Sequence, residues 1–251
     1  MAETKKVIAF DFDGTIIDTA QESFLTSAKT YYEMTGIGLV TEKNAKHYIQ
    51  GRGFSLNAEA NYTLIKLIAD NPLIDFSIYT QVQFDKEAAQ NKSAAQEFAK
   101  KFGENRKKFA ETKEWFDCQK PFWGVKELIG ELSKNYVVYI TTTKKKWSVE
   151  ALLNYYNFNF PEEKIISDHS KETKEDLLRL VAEKEGILIS EIILIDDAIK
   201  QVLVAKKAGA KVILAMWGEK RKVFEDEAKK ELIPIAYLPK DCERIIGAIV
   251  K

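Results

Sequence analysis

The chain has 251 residues, and at roughly 150 residues per domain this length fits one large domain or two small ones. Its 38 basic and 38 acidic side chains leave a formal net charge of zero, which removes the positive field that non-specific binding to nucleic acid or anionic membrane draws on. With 45% hydrophobic and 30% charged residues, 12 glycines and 5 prolines, the composition is that of a folded globular chain.

Taken in chain order, the first apolar run is Val7 to Phe10, which two aspartates follow; it is too short and too acidic at its end for a signal peptide. Thr19 to Lys120 then shows helical periodicity, as in Phe24, Ala28, Tyr31 and Tyr32, in Tyr62, Ile65, Leu67 and Ile68, and in Phe98, Phe102 and Phe109. This stretch contains no convincing strand, so it is expected to be an all-helical insertion with Gln119-Lys120-Pro121 as its exit hinge. Beyond it come a helix over 124–134, a strand over 136–140, a helix over 173–185 that opens at Thr173 and closes at Gly186, and a strand over 191–195. A helix over 198–208, a strand over 211–217, a weaker strand over 235–238 and a helix over 241–249 complete the series. Short β-branched runs without alternation are buried on both faces, and their regular exchange with helices predicts an α/β fold with a doubly wound parallel sheet. The expected division is a core of residues 1–18 and 121–251 with a helical domain over 19–120. Cys118 and Cys242 are far apart and form no CxxC pair, which fits a reducing cytoplasm, and no apolar run approaches the ~18 residues of a membrane span.

The chemistry-bearing residues stand at strand ends, where doubly wound sheets bind ligands. Asp11-Phe12-Asp13-Gly14-Thr15 follows the first strand directly. Carboxylates on alternate residues of an extended segment point the same way, and Gly14 allows a sharp turn beneath them. Asp196-Asp197 closes another strand. Taken singly, the first segment could be an Asx-turn, and the second a solvated loop with Asp197 as a helix N-cap. Carboxylates converging at one sheet edge repel unless a cation lies among them, and hard oxygen donors select Mg²⁺ over zinc. Thr141-Thr142-Thr143 ends a third strand with hydroxyls and N–H groups suited to an anion. For Lys144-Lys145-Lys146, just beyond, the preferred expectation is that they point into solvent while Thr142 or Thr143 caps the helix. Lys174 raises the question of an anion again at the start of its helix.

The order acid pair, hydroxyl, lysine, acid pair resembles the haloacid dehalogenase (HAD) superfamily, whose phosphatases carry a DxDGT first motif and a closing acidic motif. The resemblance covers residues 5–17 and 121–218, and the helical insertion resembles the C1-type cap of the phosphoglycolate phosphatase and β-phosphoglucomutase group. It implies a HAD-like, Rossmannoid core, with Asp11 as a nucleophile that becomes an aspartyl-phosphate and Asp13 as general acid and base. It further implies that Thr141, Thr142 and Lys174 hold phosphoryl oxygens, with Gly14 and Thr15 at the substrate, and that Asp11, the Asp13 carbonyl, Asp197 and Asp196 bind Mg²⁺. Gln201 departs from the pattern by standing where many relatives have a second aspartate, Thr142 stands where many have Asn, and Lys171 is a second candidate for the lysine. Within the insertion, Arg52 between Gly51 and Gly53 is the residue suited to clamp a distal anionic group. His47 and His169 are expected to be core or surface.

The expected activity is Mg²⁺-dependent hydrolysis of a small phosphorylated metabolite, with no nucleic-acid, membrane or protein partner implied. The alternatives are a sugar-phosphate mutase and a catalytically inactive binder of phosphorylated ligands. A dehalogenase or phosphonatase has no need of Asp13, and a receiver domain would be about half this length and lack the insertion.

Overall fold

A computed structural model describes residues 6–55, 57–167, 173–218 and 221–250. The chain divides into two compact units, one formed by Met1–Asp18 with Pro121–Lys251 and the other by Thr19–Lys120. It opens with strands β1 (Val7–Phe10) and β2 (Ile17–Asp18). Helices α1 (Ala20–Thr35), α2 (Glu42–Gly51), α3 (Ala58–Asp70), α4 (Gln81–Gln90), α5 (Lys92–Phe109) and α6 (Lys113–Asp117) follow. Next come β3 (Lys120–Pro121), α7 (Val125–Leu132), β4 (Val137–Thr142), α8 (Lys146–Tyr155), β5 (Ile165–Ser167) and α9 (Lys174–Glu185). The chain ends through β6 (Ile192–Asp196), α10 (Ile199–Lys207), β7 (Lys211–Ala215), α11 (Lys222–Lys230), β8 (Ile235–Ala236) and α12 (Asp241–Ile249).

In the first unit, six strands form a parallel sheet in the order β5-β4-β1-β6-β7-β8, while β2 and β3 make a separate two-stranded ribbon. The sheet is a doubly wound α/β arrangement, because the strand order reverses direction at β1: the chain goes outward through β4 and β5, then returns to the other side for β6, β7 and β8. All four residues of β1 and all of β6 are buried, and burying each such aliphatic side chain contributes about 1.5–3 kcal/mol. Helix ends follow local chemistry. The Thr173 hydroxyl accepts the Asp176 N–H at the start of α9, and Gly186, at φ +67°, closes that helix in the left-handed region.

Several elements differ from expectation: β2, β3 and α11 lie outside the expected series, and β3 takes Lys120 out of the stretch expected to be all-helical. β5 is a three-residue edge strand with only its first residue fully buried, so its sequence carries too little apolar signal to stand out. β4 runs on through Thr141 and Thr142 and takes both threonines into the sheet.

The second unit is helical from α1 to α6, with no strand between 19 and 119 among the described residues. Its core gathers Phe24, Tyr31, Phe54, Ile65, Phe76 and Phe98, with the rings of Phe54 and Phe84 stacked at 5.5 Å. The buried face of α1 also carries a polar set. Glu22 is fully buried and takes a fork of two bonds from Arg106, at 2.9 and 2.7 Å, and the Tyr48 hydroxyl bonds Ser23 and Ser27 at 2.9 and 3.0 Å. No helix among the described residues is long and apolar enough to cross a membrane.

Candidate active site

The parallel register brings three strand ends level. Phe10 lies beside Ile140 on one side and Ile195 on the other, so the next residues, Asp11, Thr141 and Asp196, form a row, and the Asp11 N–H reaches the Ile195 carbonyl at 2.9 Å. After β1 the chain turns tightly: Ile16 and Ile17 N–H both bond the Phe12 carbonyl, and Gly14 N–H bonds that of Ile17. Gly14 has φ +88°, and a Cβ there would stand 2.2 Å from Asp197 Oδ2, so both the turn and the approach of Asp197 require glycine. Gly218 meets the same loop from β7, since a Cβ on it would lie 1.7 Å from the Gly14 carbonyl oxygen.

Lys174 stands at the centre of the row. Its Nζ is 2.6 Å from Asp11 Oδ1, 2.8 Å from the Thr141 carbonyl and 3.0 Å from Asp196 Oδ2, and the residue is buried. Burial acts to discharge this ammonium, but the Asp11 and Asp196 carboxylates beside it more than offset that and hold its pKa above the ordinary lysine range. Burial likewise pushes Asp11 up to about 7; Asp196 and Asp13 push the same way, while Lys174 pulls it down. Lys171 and His169 lie outside the described residues.

Asp196 is buried and its Oδ1 accepts the Ala198 N–H at 2.8 Å. One hydroxyl holds Asp197 at two points: Thr15 Oγ1 accepts the Asp197 N–H at 3.1 Å and donates to Asp197 Oδ1 at 3.3 Å. Asp197 does not cap α10, whose N-cap is Ala198 without a side-chain bond. Thr15, expected at the substrate, is fully buried; its hydroxyl bonds Asp197 and its carbonyl takes the Trp217 indole N–H at 2.9 Å. The Thr141 hydroxyl makes a long 3.4 Å bond to the Phe10 carbonyl.

In the basic run after β4, Lys145 is exposed as expected and Lys146 is partly exposed, but Lys144 overturns its expectation. Lys144 does not point into solvent: it is buried and its Nζ bonds Asp13 Oδ1 at 3.0 Å. Nor does Thr142 cap the helix, since α8 begins at Lys146 and the Thr142 hydroxyl accepts the Lys144 N–H at 3.0 Å, a turn that sends Lys144 back toward β1. The signal that could have found Lys144 is its place, the first cation after a strand that ends beside two acids.

One carboxylate oxygen from each of Asp11, Asp196 and Asp197 lies within 4.8 Å of the others. On an octahedral Mg²⁺ with ligands at about 2.1 Å, opposed oxygens are about 4.2 Å apart and neighbouring ones about 3 Å, so this all-oxygen triad closes by at most about 2 Å to hold one ion. The donor set fits a hard divalent cation. Cysteine chemistry is unsuited, because burial pushes the thiols of Cys118 and Cys242 each up to about 12.

Arg52 belongs to the helical unit, on the short 3₁₀ turn Arg52–Phe54, where its Nη1 donates to the Ser55 carbonyl. Gly51 beside it is a packing position, not a flexible flank, because a Cβ there would strike Leu64 at 2.4 Å and Phe76 at 3.0 Å.

A family model described as haloacid dehalogenase-like hydrolase matches residues 8–215, which takes in every strand end above. The chain belongs to the haloacid dehalogenase-like hydrolase family. Solved structures agree on the fold. A predicted phosphoglycolate phosphatase from Haemophilus somnus 129PT is 15% identical, covers 98% of this chain and 100% of its own, and superposes with a TM-score of 0.65. A predicted phosphatase from Clostridium acetobutylicum is 18% identical over 98% and 100% of the two chains, with a TM-score of 0.66. A haloacid dehalogenase-like family hydrolase from Streptococcus pneumoniae is 18% identical over 96% and 98%, with a TM-score of 0.64. A comparison with curated proteins found no match. In this haloacid dehalogenase-like hydrolase, the parallel sheet and its helices supply the family fold.

Proposed function

We propose that the protein is a Mg²⁺-dependent phosphomonoester hydrolase that passes through an aspartyl-phosphate on Asp11. The observation that carries this reading is the meeting of Asp11, Asp196 and Asp197 with Lys174 set against Asp11. Asp11 and Asp197 through their carboxylates, the Asp13 main-chain carbonyl, and Asp196 would hold the ion, which when bound neutralises charge on the transferring phosphoryl group.

In the first half-reaction a carboxylate oxygen of Asp11 forms a bond to phosphorus, the bond from phosphorus to the substrate's alcohol oxygen breaks, and Asp13 gives that oxygen a proton. In the second, Asp13 takes a proton from water as the water oxygen bonds to phosphorus, the bond to Asp11 breaks, and phosphate leaves with the Asp11 carboxylate restored. Lys174, the Thr141 hydroxyl and the backbone at Thr142 would hold the phosphoryl oxygens. Lys144, bonded to Asp13, sets the direction of that carboxyl group.

The substrate class is a small phosphorylated metabolite, with the helical unit acting as a cap and Arg52 as its contact to a distal group. Two unpaired cysteines support a reducing cytoplasm. The test is turnover of p-nitrophenyl phosphate and of an alkyl phosphate with and without Mg²⁺. Asp11→Asn is expected to abolish both. Asp13→Asn is expected to lower kcat/KM, which reads the first half-reaction, by about 10²–10⁴-fold for the alkyl ester and much less for the nitrophenyl ester, since a good leaving group needs no proton. Its kcat should fall for both, because they share the intermediate whose hydrolysis needs Asp13 as base. Turnover that survives Asp11→Asn would falsify the nucleophile assignment.

A further inference from the structure

A helix leaves the N–H groups of its first turn without partners inside the helix, and a cap side chain reaches the second or third of them. In α9 the Thr173 hydroxyl takes the N–H of Asp176. The first N–H, that of Lys174 itself, is taken from elsewhere: Gln201 Oε1, on the first turn of α10, accepts it at 2.9 Å. α10 begins at Ile199, with only Ala198 between it and the acid pair Asp196-Asp197. One side chain thus ties the origin of Lys174 to the helix that follows the acid pair.

We propose that Gln201 is a positioning residue for Lys174, acting through the lysine's backbone and not on substrate. This rests on the phosphatase reading above, in which Lys174 holds phosphoryl oxygens. Lys174 must satisfy Asp11, Asp196 and the Thr141 carbonyl at once, within 2.6–3.0 Å, so its Nζ is fixed by three partners while the Gln201 bond fixes the backbone from which its flexible stem starts. A misplacement of about 1 Å at such a group costs up to about 10²-fold in rate.

The test compares Gln201→Leu, which keeps the bulk and removes the acceptor, with Gln201→Glu, which keeps an acceptor, in the full chain. Amide exchange at Lys174 reads the anchor without reference to activity, and kcat and KM for p-nitrophenyl phosphate in Mg²⁺ read its consequence. In Gln201→Leu, exchange at Lys174 is expected to quicken about tenfold. Its kcat should fall at least about tenfold with KM little changed. Gln201→Glu should restore both to within about threefold of wild type. Exchange at the wild-type rate, or faster exchange with an unchanged kcat, overturns the proposal. A wild-type protein without turnover, or a Lys174→Met variant as active as wild type, defeats the phosphatase reading instead and takes the catalytic half of the proposal with it, while exchange still reports on the anchor.

Discussion

At Gly14 the backbone holds φ +88° while Asp197 stands where a side chain would be. Gly14→Ala therefore combines a left-handed strain of about 1–2 kcal/mol with displacement of a proposed metal ligand. The expected result is a lower melting temperature together with weaker Mg²⁺ binding by calorimetry; a variant that binds Mg²⁺ as wild type does would show that Asp197 is not a ligand. Asp11 sets a pH dependence. Its carboxyl is raised from 3.8 to about 7, so the folded state binds that proton more tightly than the unfolded chain does, and this contribution to stability is present below pH 3.8 and lost as the pH rises to about 7. Mg²⁺ requires the ionised form. Its stabilising shift in thermal unfolding is therefore expected to grow between about pH 5 and about pH 8, and to lose this pH dependence in Asp11→Asn. A shift of equal size at both pH values would disprove the coupling.

Among the elements, α1 of the helical unit depends on a buried charge. Glu22 is fully buried and its carboxylate is held by Arg106 on α5 and by the Thr26 hydroxyl. Removing one partner of such a pair leaves an uncompensated buried charge, and Arg106→Ala is expected to cost about 3–5 kcal/mol in urea unfolding. Changing Glu22 to Gln in the same background should recover part of that loss, and no recovery would mean that the arginine acts by packing on Phe102, whose ring centre lies 4.6 Å from its guanidinium. Helix ends such as Thr173 and Gly186 could be placed from sequence because capping is local. The β5 edge was not, because pairing with β4 supplies most of what makes three residues a strand.

For the whole molecule, the division at Asp18 and Pro121 leaves the acid row entirely within the α/β unit. Mg²⁺ at a hundredfold excess over its dissociation constant should stabilise the native state by about 2.7 kcal/mol, and Asp197→Asn should remove most of that gain. Hydrogen exchange should slow chiefly in the segments after β1 and β6. Protection that appears instead at β8, on the far edge of the sheet, would move the metal away from the proposed row.

The sequence by itself determined the alternation of buried strands and capped helices, the helical nature of the stretch 19–120 up to Lys120, which belongs to β3, and the candidate acids Asp11, Asp13, Asp196 and Asp197, because these depend on local propensity and on residue type at strand ends. Only the tertiary structure decided what those residues touch. Lys144 belongs with Asp13 because the Thr142 turn brings it back across the sheet, Thr15 lies behind Asp197, and Gln201 reaches the start of α9. Each of these contacts joins positions far apart along the chain. Their energy comes from burial and register, which no local pattern of residues encodes.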